Sequence, residues 1–138
     1  MKIAGLYLFL IFLFLLSSCS KKLTSAVDLS ATEKETVYQI LKDVSYGSDV
    51  EQVMDIYLSQ EAKSFGKRNY TIVFLHGGGY YFSDKSQEER YIEPYLKKGL
   101  NVVNLNYRLK RGIPLATSDL TNALNYLKAN NADYGLNL

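Results

Sequence analysis

Tyr70-Thr71-Ile72-Val73-Phe74-Leu75-His76-Gly77-Gly78-Gly79-Tyr80-Tyr81 is the stretch on which the fold of this chain turns. Tyr70 to Leu75 is a continuous apolar run, the pattern of a strand buried on both faces of a largely parallel sheet. It breaks into a histidine and three glycines. Consecutive glycines allow backbone dihedrals that side chains forbid, and they leave N–H groups bare toward whatever stands in front. Amides presented in this way can stabilise a negative oxygen that develops during a reaction. A phosphate-binding loop would instead want Gly-Lys-Ser/Thr or a second spaced glycine leading into a helix, and neither is present. A purely structural turn needs one or two glycines, rarely three preceded by histidine.

Elements of the same kind follow on both sides. Upstream, Leu41 to Tyr46 is short and β-prone, and Gly47-Ser48-Asp49 is turn chemistry. Gln52 to Leu58 alternates, with Met54, Ile56 and Leu58 on one face and Asp55 and Tyr57 on the other, so a hairpin is expected. Gln60 to Asn69 reads as a polar connection. Downstream, Ser86 to Lys98 has helical composition and stops at Gly99, with Pro94 expected to start or kink the helix. Leu100 to Asn106 is another strand, and Tyr107 to Thr117, with Gly112 and Pro114, reads as an irregular loop. Ser118 can then cap a helix with Leu120, Ala123, Leu124 and Leu127 at the i, i+3, i+4, i+7 spacing, ended by Asn130, Asn131 and Gly135. Strand, helix, strand, helix is the βαβα pattern of a parallel α/β sheet.

Composition narrows the partners. A chain of 138 residues is room for one domain at most. Its 47% hydrophobic and 13% aromatic content, with twelve tyrosines, belongs to a globular protein. Sixteen basic and fourteen acidic residues are spread without a basic stripe, which argues against nucleic acid as a partner. One cysteine and one histidine supply neither a disulfide nor the usual zinc ligand set, so no metal or other cofactor is expected.

The N-terminus carries targeting information. Lys2 precedes an apolar run from Ile3 to Leu16, shorter than the about 20 residues of a spanning helix and suited to a signal-peptide core. Leu16-Ser17-Ser18-Cys19 resembles a bacterial lipobox, which implies cleavage after residue 18 and a lipid on Cys19; the alternatives are an ordinary secretory signal with an incidental cysteine and a short membrane anchor. The expected organisation is a lipoprotein signal over 1–18, a polar tether over 19–36 and a folded domain over 37–138. Such a protein would be exported and held at a cell-envelope membrane by its lipid, because near-neutral charge offers no electrostatic attachment.

His76-Gly77-Gly78-Gly79 after a strand resembles the HGGG oxyanion motif of carboxylesterases and lipases on the α/β-hydrolase fold. Tyr46-Gly47-Ser48-Asp49 with Gln52 to Tyr57 is similar to the opening hairpin of feruloyl-esterase-like hydrolases, and Asn106-Tyr107-Arg108-Leu109 to a segment after the family's fourth strand. The resemblance covers roughly residues 40–138. It implies oxyanion donors at the amides of Gly78 and Gly79, with His76 and Gly77 ordering the loop. It also implies Tyr80 and Tyr81 at the border of the acyl pocket, and Arg108 anchoring neighbouring loops. The family's strand order sets the third strand between the fourth and fifth, which leaves Thr71–Leu75 at an edge here.

The nucleophile elbow Gly-x-Ser-x-Gly does not occur in residues 1–138, and His76 lies ahead of where the triad histidine would fall. The fold expected is therefore the N-terminal half of an α/β-hydrolase sheet, an opening hairpin followed by β-α-β-α, stopping before the nucleophile strand. The function expected is that of a carboxylic-ester hydrolase fragment without the Ser-Asp-His triad, from a truncated or split gene, completed by a C-terminal half. The alternative is a non-catalytic, lipid-anchored binding or structural module on the same scaffold.

Overall fold

The computed structural model describes residues 36–138; the signal segment, Cys19 and the tether up to residue 35 lie outside the described residues. The chain forms β1 (Tyr38–Ser45), β2 (Val53–Ser59), β3 (Thr71–Leu75), α1 (Glu89–Leu96), β4 (Asn101–Leu105), α2 (Gly112–Ala129) and the short α3 (Asn131–Tyr134). The sheet order is β1-β2-β4-β3. β1 and β2 form an antiparallel hairpin, β2 pairs antiparallel with β4, and β4 runs parallel to β3. This is the hairpin followed by β-α-β-α that the sequence implies.

β4 lies inside the sheet and every one of its residues is buried. Alternation along the strand divides the interior. Val103 and Leu105 pack with Tyr46, Met54, Ile56, Ala123, Leu127 and Leu136 beneath α2. Val102 packs with Tyr57 and Ile92 beneath α1. Each such aliphatic side chain, withdrawn from water, contributes about 1.5–3 kcal/mol. β2 has the same double burial, so Asp55 and Tyr57 on its second face are as enclosed as Met54 and Ile56.

Four local expectations are corrected. β3 is half-buried throughout rather than buried on both faces, because it is an edge of this sheet. The connection after β2 is not simply polar coil: Ala62–Arg68 winds into 3₁₀ turns broken at Gly66, and Ala62 is buried. The first helix does not start at Pro94. A 3₁₀ turn over Lys85–Glu88 leads into α1, which carries Pro94 inside it and stops at Leu96. Burial of Ile92 offsets the one helical hydrogen bond that proline cannot donate. Finally, α2 begins at Gly112 rather than at Ser118. Pro114 sits in its first turn, where the missing N–H costs no bond and the fixed φ suits a helix. Ser118 is consequently an exposed mid-helix residue, and the buried stripe is Ala116, Asp119, Ala123 and Leu127.

A carboxylate in that stripe needs partners. Arg108 Nη2 donates to Asp119 Oδ1 at 2.6 Å, its Nε reaches both oxygens at 3.1 Å, and its backbone N–H donates to Oδ2 at 2.9 Å. Gln52 Nε2 adds a fourth donor at 2.9 Å. Asp119 thus ties α2 to the segment after β4 through Arg108 and to the hairpin turn through Gln52. Burial disfavours the charge on Asp119, but the Arg108 and Gln52 donors outweigh it and hold the carboxyl below its ordinary range.

A depressed carboxyl contributes stability above its unfolded pKa and loses it as pH falls. The stability gap between wild type and Asp119→Asn should therefore be widest near neutral pH and narrow as pH drops below the ordinary value of 3.8. Leu127→Ala should cost about 2–5 kcal/mol with no such pH dependence. Urea unfolding across pH 2.5–7 checks both; a gap for Asp119→Asn that is constant over this range would remove Asp119 from the acid response.

Candidate functional site

The site grows from the C-terminal ends of β3 and β4. β3 ends at Leu75, and His76 is the first residue of a loop that returns to the protein at Lys85. His76 is buried, 3% exposed, with its ring stacked on Tyr107 at a centroid distance of 4.4 Å and an interplanar angle of 7°. The Tyr107 hydroxyl donates to the His76 carbonyl at 3.0 Å. His76 Nδ1 lies 2.8 Å from the Gly77 carbonyl oxygen. A carbonyl only accepts, so Nδ1 carries the proton and spends it on the loop.

The next residues take a backbone path closed to most side chains. Gly78 has φ 97°, Gly79 φ 60°, Tyr80 φ 68° and Ser83 φ 90°. The Gly78 carbonyl accepts from the amides of Tyr81 at 3.1 Å and Phe82 at 3.4 Å, closing a tight turn. A Cβ built on Gly78 would overlap the Phe82 carbonyl, whereas one on Gly79 would meet open space. Gly78 is therefore required twice, by dihedral and by contact, and Gly79 by dihedral alone. Among the described residues, neither the Gly78 nor the Gly79 amide donates to a partner. Tyr80 leans against Tyr107, centroids 6.0 Å apart, and its carbonyl accepts from Lys110 N–H at 2.7 Å. Tyr81 and Phe82 are 66% and 70% exposed, so the loop presents an aromatic rim to solvent.

The far end of the loop is held by polar contacts. Asp84 caps the 3₁₀ turn, accepting from Ser86 N–H at 2.8 Å, and accepts from Asn106 Nδ2 at 2.6 Å. Burial opposes its ionisation, but these donors lower its pKa to about 2. The Lys85 N–H donates to Asn106 Oδ1 at 2.7 Å, and Asn104 Nδ2 donates to the Lys85 carbonyl at 2.8 Å. The Lys85 ammonium lies 2.9 Å from Asp55 and 2.7 Å from Asp43.

Of the residues singled out in the sequence, His76, Gly77, Gly78, Gly79, Tyr80 and Tyr81 share this loop, and Cys19 lies outside the described residues. The sequence reading missed Tyr107 as the partner of His76, and it missed the set Asp55, Lys85, Asn104 and Asn106. Two signals were available: a carboxylate inside the largely apolar β2, and Asp84-Lys85 one residue beyond an aromatic run. Among the described residues no group of three or more His, Cys, Asp or Glu could hold a metal ion, and no helix is long and apolar enough to cross a membrane.

Solved structures of esterases and an α/β-hydrolase enzyme share this architecture. Esterase B from Lactobacillus rhamnosis (HN001) superposes with a TM-score of 0.63 over 77% of this chain and 34% of its own, at 19% identity. A truncated carbohydrate esterase from gut microbiota gives 0.62 over 75% and 38%, at 24% identity. MGS-M1, an α/β-hydrolase enzyme from a Medee basin deep-sea metagenome library, gives 0.58 over 72% and 43%, at 30% identity. The chain thus spans about a third of the length of the first of these relatives. A search of curated proteins gives no match. The BD-FAE family matches residues 54–138, more than half of the chain and all of the loop just described. The chain belongs to the BD-FAE family and carries part of an α/β-hydrolase fold of esterase type.

Proposed function

We propose that the chain supplies the oxyanion loop of a carboxylic-ester hydrolase. The observation that carries this reading is the pair of amides at Gly78 and Gly79, without partners among the described residues and held in a turn of positive φ at the mouth of the sheet. When a serine oxygen attacks an ester carbonyl, negative charge moves onto the carbonyl oxygen. Preorganised N–H donors stabilise that charge without reorganising at the moment of reaction. His76 is not the base on this reading, since its Nδ1 proton is committed to Gly77 and its ring to Tyr107. Tyr80 and Tyr81 stand beside the amides and border the acyl group of the substrate. Residues 1–138 contain no Gly-x-Ser-x-Gly, so the nucleophile, acid and base belong to other residues, those of a hydrolase C-terminal half. The lipobox at Leu16-Ser17-Ser18-Cys19 supports export and anchoring of this half through Cys19.

Four outcomes are expected. The 138-residue chain alone should not turn over short-chain p-nitrophenyl esters and should not react with a fluorophosphonate probe; labelling of a serine would defeat the assignment of the nucleophile to other residues. Co-expression with a C-terminal half from a BD-FAE relative should yield esterase activity. Gly78→Ala, which displaces a donor, should then lower kcat about 10²–10³-fold. Activity insensitive to that substitution would show that these amides do not face the substrate. Cys19→Ser should abolish incorporation of labelled fatty acid, and lipid found on the variant would overturn the anchor.

A further inference from the structure

We propose that Lys85 is a positioning residue for the glycine loop: its ammonium, buried between Asp55 and Asp43, ties the downstream end of the loop to the β1–β2 hairpin and so sets the direction of the Gly78 and Gly79 amides. The role assigned to those amides rests on the ester-hydrolase reading, whereas the tie itself is a matter of geometry.

The Lys85 side chain is 8% exposed and that of Asp55 2%. Charges this enclosed lose their hydration, and such a pair rarely stabilises a protein more than apolar side chains of equal volume would. What an ion pair adds is direction, because an ammonium between two carboxylates has one place to sit. Asp55 is positioned in turn. Its Oδ1 accepts from the Asp43 N–H at 2.9 Å, and its Oδ2 lies 3.1 Å from Lys42, which also reaches Glu89 at 3.1 Å and Tyr57 at 3.0 Å. Asp43 has φ 53° and stands where the register of β1 against β2 shifts between Leu41 and Val44. The irregularity in β1 thus turns both the N–H and the carboxylate of one residue toward the Asp55–Lys85 pair.

The position of Lys85 reaches Gly78 through Ser83 and Phe82. Between His76 and Asp84 the loop has backbone hydrogen bonds only within its own Gly78 to Phe82 turn and to Lys110, among the described residues. It is slung between two fixed ends. The site of a Cβ on Gly78 lies against Phe82 and 3.1 Å from the Ser83 Cβ, two residues before Lys85. A displacement of Lys85 therefore pushes Ser83 and Phe82 against the backbone of Gly78, which has no slack to absorb it.

The nine glycines make the test simple. The full chain, labelled with [15N]glycine in detergent micelles, gives one amide signal per glycine, assigned by single glycine substitutions. Gly77, Gly78 and Gly79 report the loop, and Gly99 and Gly135 report α1 and α3. Lys85→Met keeps the volume and removes the charge, leaving Asp55 still paired with Lys42. The expected result is displacement or broadening of the three loop signals with Gly99 and Gly135 unmoved. Loop signals at wild-type positions in a folded Lys85→Met would overturn the proposal. If Lys85→Met loses all dispersion, Asp55→Asn/Lys85→Met removes both buried charges, leaves Lys42 its Glu89 partner and strips an ammonium only from the exposed Asp43. That double variant should fold with displaced loop signals. Wild-type loop signals, or a second global collapse, would show that the pair serves something other than the loop. No arm reads ester turnover, so a failure of the hydrolase reading is seen separately, as inactivity of the complemented enzyme whose loop signals respond as expected.

Discussion

Every polar group of Asn106 is in use, and together they join three parts of the chain. Its N–H donates to Val53 at 3.0 Å, joining β2; its carbonyl accepts from the Tyr46 hydroxyl at 2.7 Å, joining the hairpin turn. Its side-chain oxygen accepts from the Lys85 N–H and its amide nitrogen donates to Asp84, joining the far end of the glycine loop. Asn106 is half-buried, and an amide withdrawn from water is costly unless its bonds are made; when they are made it specifies one arrangement. Asn106 lies directly after β4, the strand with every residue buried, so whatever fixes β4 also fixes the loop.

The loop needs such anchoring because it is strained. Tyr80 and Ser83 hold positive φ without the exemption that glycine enjoys, at about 1–2 kcal/mol each. The bonds from Tyr107, Lys110, Asn104 and to Asn106 are worth about 0.5–1.5 kcal/mol each, which is of the same order. A strained backbone surrounded by contacts that over-determine it is the arrangement found where a site must be preorganised. The aromatic rim of Tyr81 and Phe82, by contrast, turns its side chains to solvent.

Charge is placed inside this domain at two points and is balanced at both. Asp119 under α2 is met by Arg108 and Gln52, and Asp55 under α1 by Lys42 and Lys85. Each set joins the hairpin to a segment that follows a parallel strand. The two faces of the sheet thus share one design, an apolar layer with a single carboxylate reaching across it to fix a loop.

The βαβα order, the hairpin and the glycine loop could all be read from residues near one another in the chain. Alternation in β2, the apolar run of β3 and the three glycines are local signals, and local signals report backbone conformation. Element ends were less readable, because Pro94 inside α1 and Pro114 in the first turn of α2 are tolerated for reasons of packing and position that composition does not carry. The fixing of the site was not readable at all. Tyr107 meets His76 across 31 residues, Asn106 meets Lys85 across 21, and Lys85 meets Asp43 across 42. Those pairings exist only because β4 lies between β2 and β3, an order set by long-range strand pairing and burial. A sequence states which groups can donate and accept; the sheet decides which of them are within 3 Å of each other.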